Sequence, residues 1–244
     1  MGLARNIAGN IWRGWFFTNA FLCFLFFYPL VVLFISRQKW FPHVFKLIKW
    51  WAHYCLWISG IRCEIISEAK LNPNVAYIFC PNHSSILDII VSYVAIPQYF
   101  HFMGKAELTK IPLFNIFFKR MNISVDRSSL KASYGAYQRA HDDLQKGISI
   151  GIFPEATIPD CTPKLGPMKN GAFKLAIENQ IAIVPITYVN TWKIMPDIDK
   201  TCGGKPGTVF IYLHQPIATK GMTALDLKTL RDVTAASIQS KLGF

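Results

Sequence analysis

The sequence predicts an α/β sandwich, with helices packed around a mostly parallel or mixed central sheet, preceded by a membrane-associated helical hairpin. Three observations carry this expectation. From residue 61 onward, short β-rich runs alternate with stretches of helical periodicity, the pattern of an α/β fold. Before residue 61 lies a long uncharged apolar run. Charged residues make up only 16% of the chain, against 52% hydrophobic. A soluble domain carries about a quarter charged residues, so part of this surface meets something other than water.

The apolar run is WFFTNAFLCFLFFYPLVVLFIS, residues 15–36. It is long enough to span a bilayer and too long for a cleaved signal peptide. Pro29 inside it is expected to kink or break a helix. Residues 43–59 follow with Lys46, Lys49 and His53 at helical spacing among Trp50, Trp51, Leu56 and Trp57, an amphipathic helix with interfacial anchors. Arg5 and Arg13 precede the run, and Arg37, Lys39, Lys46 and Lys49 follow it. Positive charge on both flanks selects no orientation. A kinked hairpin dipping into one leaflet is the favoured expectation, ahead of a single span or a core helix. The domain boundary is placed at residues 1–60 and 61–244.

In the second part, strands are expected at Arg62–Ile66, Val75–Cys80, Tyr99–Met103, Asn122–Val125, Ile148–Phe153, Ala182–Tyr188 and Thr208–His214. Helices are expected at Ser85–Ala95, Pro112–Arg120, Ser128–Lys146, Met168–Glu178 and Thr223–Ser240, with Ser128 and Thr223 as N-caps. One loop-rich stretch covers 156–167. There is no internal repeat.

The net charge is +12 without a nucleic-acid motif or a long basic run, which fits an anionic membrane surface or a phosphorylated or acidic ligand. The six cysteines are widely spaced with no CxxC pair, so buried free thiols of a reducing compartment are expected. His43, His53, His101, His141 and His214 show no metal-ligand spacing with His83.

Four stretches sit where strands give way to turns, the usual place for sites in open α/β sheets. The first is Cys80-Pro-Asn-His-Ser-Ser-Ile-Leu-Asp88. A turn there folds His83 towards the Asp88 carboxylate, which fixes the imidazole tautomer and leaves the other ring nitrogen to take a proton from a hydroxyl. The bland reading is a capping histidine. Ser84 and Ser85 raise the option of a nucleophile, but the G-x-S-x-G elbow is absent. The second is Gly104-Lys-Ala-Glu-Leu108, where Lys105 is an anion contact or a solvated lysine. The third is Val125-Asp-Arg127, where Arg127 is a bidentate phosphate contact or an ordinary ion pair. The fourth is Ile152-Phe-Pro-Glu-Ala-Thr157, either a site or a structural turn.

Taken in order, NH-x4-D, GKAEL, VDR, FPEAT and IVPITY resemble the glycerolipid acyltransferases, with lysophosphatidic acid acyltransferase as the type, across roughly residues 60–215. The resemblance implies His83 and Asp88 as the catalytic pair. It implies Asn82, Lys105, Arg127, Phe153, Pro154, Glu155, Thr157 and Lys169 as substrate-binding residues, with Lys105 and Arg127 on the acceptor phosphate. Val184-Pro185 resembles the block that lines the acyl or acceptor pocket. Two positions depart from the family's FPEGTR: Ala156 replaces glycine, and Ile158, which cannot bind phosphate, replaces arginine. Lys164 or Lys169 then fills that role beside Lys105 and Arg127, or the acceptor carries another head group, as in a lyso-aminolipid.

The implied reaction moves an acyl group from acyl-CoA or acyl carrier protein, as co-substrate and with no cofactor or metal, to the sn-2 hydroxyl of 1-acyl-glycerol-3-phosphate. The implied partners are the membrane lysophospholipid and the thioester donor, with no nucleic acid. The catalytic domain is expected on the cytoplasmic face of a monotopic or single-span protein. Backbone N–H groups near Asn82 to Ser84 are expected to stabilise the tetrahedral oxyanion. A lysophospholipase or thioesterase-type hydrolase, and a non-catalytic lipid-binding protein, are the competing readings.

Overall fold

The computed structural model describes residues 2–126, 129–197 and 203–243. All seven expected strands form: β1 (Ile61–Ser67), β2 (Ile78–Pro81), β3 (Phe100–Lys105), β4 (Ile123–Val125), β5 (Ser149–Ile152), β6 (Ile183–Tyr188) and β7 (Gly207–Leu213). They make one sheet in the order β1-β7-β6-β2-β5-β3-β4. From β6 to β4 every neighbouring pair is parallel. The sheet is mixed because β7 opposes β6: the His214 N–H donates to the Pro185 carbonyl and the Val189 N–H to the Phe210 carbonyl. β2 and β6 are buried at every position, as parallel strands covered on both faces must be.

The helices are α1 (Gly2–Ile35), α2 (Phe41–Ile58), α3 (Leu87–Ala95), α4 (Asn115–Arg120), α5 (Leu130–Gln145), α6 (Gly171–Asn179), α7 (Thr191–Ile194) and α8 (Leu227–Gln239). α7, a single turn after Asn190, has no sequence periodicity to announce it. Thr223 is an N-cap as expected, and beyond that expectation it forms a capping box with Asp226. Ser128 lies outside the described residues, and the N-cap of α5 is Ser129, whose side chain accepts the Ala132 N–H.

These elements group into two compact units. The first takes in residues 1–66, 84–97 and 188–211. Here α1 and α2 pack as two arms of a hairpin. Of the two outcomes expected at Pro29, the break does not occur: α1 runs on through it as one helix. A proline removes one ladder hydrogen bond, and the remaining ladder and the packing against α2 carry the helix through. On α2, Phe41, Val44, Phe45, Ala52, Cys55 and Leu56 are buried, a 3.6-residue stripe. Lys49, read from spacing as part of a polar face, is half-buried and donates to the Ile96 carbonyl at the end of α3.

The first half of α1 is tied down. The Trp12 and Trp15 indoles donate to the Ser59 and Ile58 carbonyls, and the Arg13 guanidinium to the Pro196 carbonyl. Gly9 meets Gly203 and Gly204 so closely that a Cβ would stand 2.8 Å from their backbone. The second half leaves Phe21, Leu22, Phe26, Leu30 and Leu33 exposed. Among the described residues α1, over Asn6–Ile35, is the helix long and apolar enough to cross a membrane.

The second unit takes in residues 67–83, 98–187 and 212–244. Its core sets Ile78, Cys80, Ile150 and Ile183 of the parallel strands against Ala136, Ala140 and Leu144 of α5, Phe173 and Ala176 of α6, and Leu230 of α8. Cysteine burial is less uniform than expected. Cys55 and Cys80 are buried, Cys23 and Cys63 half-buried, and Cys161 exposed on its loop, all as free thiols. Cys202 lies outside the described residues.

Candidate active site

β2 is apolar and central, and Pro81 ends it, since a proline has no N–H to extend a ladder. The next residues form a turn whose backbone donors are all satisfied. Asn82, itself buried, donates its N–H to the Ile186 carbonyl at 3.2 Å. The His83 N–H donates to Glu155 Oε1 at 2.7 Å. The Ser84 and Ser85 N–H groups both donate to Asp88 Oδ2, at 2.6 and 2.8 Å. This corrects the expectation for the oxyanion: the amides from Asn82 to Ser85 hold the turn together and are not aimed at a substrate carbonyl.

In the second unit, the His83 ring stacks on Phe153, centroids 4.1 Å apart and planes inclined at 22°. Phe153 in turn stacks on Phe102. This wall of rings fixes the plane of the imidazole. Glu155 is buried, and both its oxygens bind backbone: Oε1 takes the His83 N–H and Oε2 the Gly166 N–H at 2.6 Å. It thereby staples the loop after β5 to the histidine turn. The Lys169 N–H donates to the Pro154 carbonyl at 2.8 Å, closing the same loop again, while the Lys169 side chain is exposed. Ala156 sits at φ +68°, the left-handed region that glycine enters without strain. The turn is therefore the one a glycine would make.

Lys105, at the carboxyl end of β3, lies exposed with Nζ 3.3 Å from Thr157 Oγ1. The structure thus brings together His83, Phe153, Glu155, Thr157 and Lys105. Ile158 is half-buried and Lys164 exposed. Arg127 lies outside the described residues. Val184 and Pro185 are buried in β6 in register with Phe79 and Cys80 of β2, within the sheet.

In the first unit, Asp88 opens α3 and is fully buried. A carboxylate in the first turn is favoured by the helix dipole, and its two amide bonds lock it against the residues that follow His83. The serines are engaged structurally. Ser85 Oγ donates to the Met195 carbonyl at 2.6 Å, and Ser84 Oγ pairs with Thr191 Oγ1 at 2.8 Å. Neither buried hydroxyl is placed as a nucleophile. Among the described residues no group of three His, Cys, Asp or Glu side chains could hold a metal ion.

Known proteins share this fold. The solved 1-acyl-sn-glycerophosphate (LPA) acyltransferase PlsC of Thermotoga maritima superposes with a TM-score of 0.80 over 98% of both chains at 20% identity, which establishes the fold. The chloroplastic 1-acyl-sn-glycerol-3-phosphate acyltransferase LPAT1 of Arabidopsis thaliana is 29% identical over 192 residues, 78% of this chain and 52% of its own. The 1-acyl-sn-glycerol-3-phosphate acyltransferase of Borreliella burgdorferi is 26% identical over 188 residues, 77% of this chain and 74% of its own. The chain spans about half the length of its Arabidopsis thaliana and Brassica napus relatives. The family model described as Acyltransferase matches residues 62–189. That span is just over half of the chain and runs from β1, through the His83 turn and the Glu155 loop, to the end of β6. This chain belongs to the acyltransferase family.

Proposed function

We propose that the protein transfers a fatty acyl group from a thioester, acyl-CoA or acyl carrier protein, to the sn-2 hydroxyl of 1-acyl-glycerol-3-phosphate, giving phosphatidic acid. The observation that carries this reading is the His83 turn itself: a histidine stacked on Phe153 and pinned through its backbone by Glu155, followed by a buried Asp88 locked onto the next two amides. In the reaction His83 takes the proton from the acceptor hydroxyl, and Asp88 orients the ring and stabilises the imidazolium. The hydroxyl oxygen attacks the thioester carbonyl, the tetrahedral intermediate collapses, and the thiolate leaves with the proton returned by His83. Lys105, with Thr157 beside it, holds the acceptor phosphate. Asn82, Phe153, Pro154, Glu155 and Lys169 shape that end of the site, and Arg127 adds a second cation.

The exposed apolar half of α1 supports work at a membrane. Lysolipid and product both partition into a bilayer, so the acceptor enters sideways from one leaflet and the soluble donor from the cytoplasmic side.

A second reading rests on Ile158, an apolar residue where the family carries arginine. It favours an acceptor with less phosphate character, a lyso-aminolipid, by the same chemistry. One experiment separates the two. Purified protein in detergent is given labelled acyl-CoA or acyl carrier protein with either acceptor, beside the His83→Ala variant. Transfer to lysophosphatidic acid that falls by at least the 10²–10⁴ of general-base catalysis in the variant supports the main reading. Transfer to the lyso-aminolipid alone supports the second. A folded His83→Ala protein with most of its activity would sink both, and release of free fatty acid without transfer would make the protein a hydrolase.

A further inference from the structure

Asp88 is fixed at its main chain as well as at its carboxylate. On α3 the Ser92 hydroxyl donates to the Asp88 carbonyl at 2.6 Å. It also lies 2.6 Å from the Tyr188 hydroxyl, at the carboxyl end of β6. A serine hydroxyl has one proton. Since the carbonyl can only accept, that proton is spent on Asp88, and the phenol must donate to Ser92 Oγ. The chain runs one way: Tyr188 O–H to Ser92 Oγ–H to the Asp88 carbonyl.

Asp88, Ser92 and Tyr188 are each 0% exposed. Burial, chiefly, and the nearby Asp88 charge push the phenol above its ordinary range, so it remains a donor throughout the working pH range. A buried Ala–Phe pair would fill the same space without desolvating two hydroxyls. The serine bonds back to the residue four positions earlier, and that residue is the one whose carboxylate grips the Ser84 and Ser85 amides. The helix turn bearing Asp88 is held from both ends.

We infer that Tyr188 and Ser92 are positioning residues for the acyl-transfer reaction, holding the first turn of α3 so that the Asp88 carboxylate keeps the orientation that serves His83. This rests on the reading of His83 and Asp88 as base and partner. When the hydroxyl chain is cut, the carboxylate is less well aligned and stabilises the imidazolium less. The rate falls, and the acid limb of the pH–rate profile shifts to lower pH.

The test is the pH dependence of acyl transfer by the full chain in detergent, for Tyr188→Phe, Ser92→Ala, Asp88→Asn and the Asp88→Asn/Tyr188→Phe double variant. Thermal melts serve to confirm folding. Tyr188→Phe is expected to lower kcat on the order of tenfold, as loss of an outer orienting partner does. KM for donor and acceptor should stay unchanged, and the acid limb of kcat/KM should move to lower pH. Ser92→Ala, which cuts the same chain with a smaller deletion, should do the same. On the residual rate of Asp88→Asn, Tyr188→Phe should add nothing, because both act through one group. A folded Tyr188→Phe protein with unchanged kcat and an unmoved limb, beside an inactive Asp88→Asn, overturns this inference alone. Losses that multiply in the double variant also overturn it. Full activity in Asp88→Asn overturns it together with the reading it rests on.

Discussion

An oxygen of the Glu155 carboxylate accepts the backbone N–H of His83 at 2.7 Å. Glu155 is buried, with its other oxygen on the Gly166 N–H. The consequence is mechanical. The histidine turn at the end of β2 and the loop after β5 cannot move apart without exposing a carboxylate that both backbones satisfy.

Replacing Glu155 by Gln turns one acceptor oxygen into a donor facing an N–H. Hydrogen bonds to a charged group are worth about 1.5–3 kcal/mol, so unfolding stability should fall by about that much in a denaturant titration. The rate should fall as the His83 backbone loosens. Gly166→Ala should copy the phenotype, because a Cβ there would stand 2.8 Å from Pro159 and 2.9 Å from Glu155 Oε2. A Glu155→Gln protein with unchanged melting would show that the staple carries no load.

Ala156 predicts a change in the opposite direction. At φ +68° it sits in the left-handed region, which costs a non-glycine residue about 1–2 kcal/mol, offset in part by the greater freedom of glycine in the unfolded chain. Ala156→Gly should therefore raise stability by about 0.5–1 kcal/mol with activity unchanged. A lower denaturation midpoint would mean that the alanine methyl makes packing contacts worth more than the strain.

Much of this was legible in the chain. Buried strands declare themselves as apolar runs bounded by turn residues, and all seven were readable, as was the Thr223 N-cap. The His83 and Asp88 positions follow from a strand end and a motif. What the sequence hid depends on tertiary partners. Nothing local announces that Glu155 would turn to backbone amides 72 and 11 residues away, that the amides of residues 82–85 would already be occupied, or that Tyr188 would reach Ser92. That α1 would run unbroken through Pro29 likewise depends on its packing against α2. Ala156 lay between these cases: its departure from glycine was visible, while its left-handed backbone conformation was not.

His214 predicts a pH dependence of stability. Buried at the end of β7, it places Nε2 2.7 Å from Thr187 Oγ1 and Nδ1 3.2 Å from Glu68 Oε2. Its ring stacks near Tyr212, and Lys241 holds the other Glu68 oxygen at 3.5 Å. Burial lowers its pKa below the ordinary 6.5, with Lys241 adding to the shift and Glu68 opposing it. With the folded pKa below the unfolded one, the unfolded chain binds more protons between the two, so stability rises with pH there. The contribution is complete above about 6.5 and lost as pH falls through the folded value. Thermal midpoints should drop on acidification through this window, and His214→Gln should flatten that part of the curve. Equal slopes in the two proteins would assign the acid sensitivity elsewhere.

The apolar half of α1 predicts how the protein is held at a membrane. Truncation is a poor test, because Trp12, Arg13 and Trp15 bond to the folded unit and Gly9 packs against it. Leu22 and Phe26, four residues apart on one face, are 59% and 77% exposed. An acidic side chain near the middle of a membrane helix costs about 2.5–3.5 kcal/mol on insertion scales. Leu22→Glu combined with Phe26→Glu should therefore shift the protein from the pelleted membranes to the supernatant while leaving its melting temperature and its activity on detergent-dispersed acceptor near wild type. The same substitution at Phe16, which is 1% exposed, should unfold the protein instead, because that ring faces protein. If the double variant still sediments with membranes, the exposed face of α1 is not the anchor, and the aromatic residues Trp50 and Trp57 of α2 become the surface to change next.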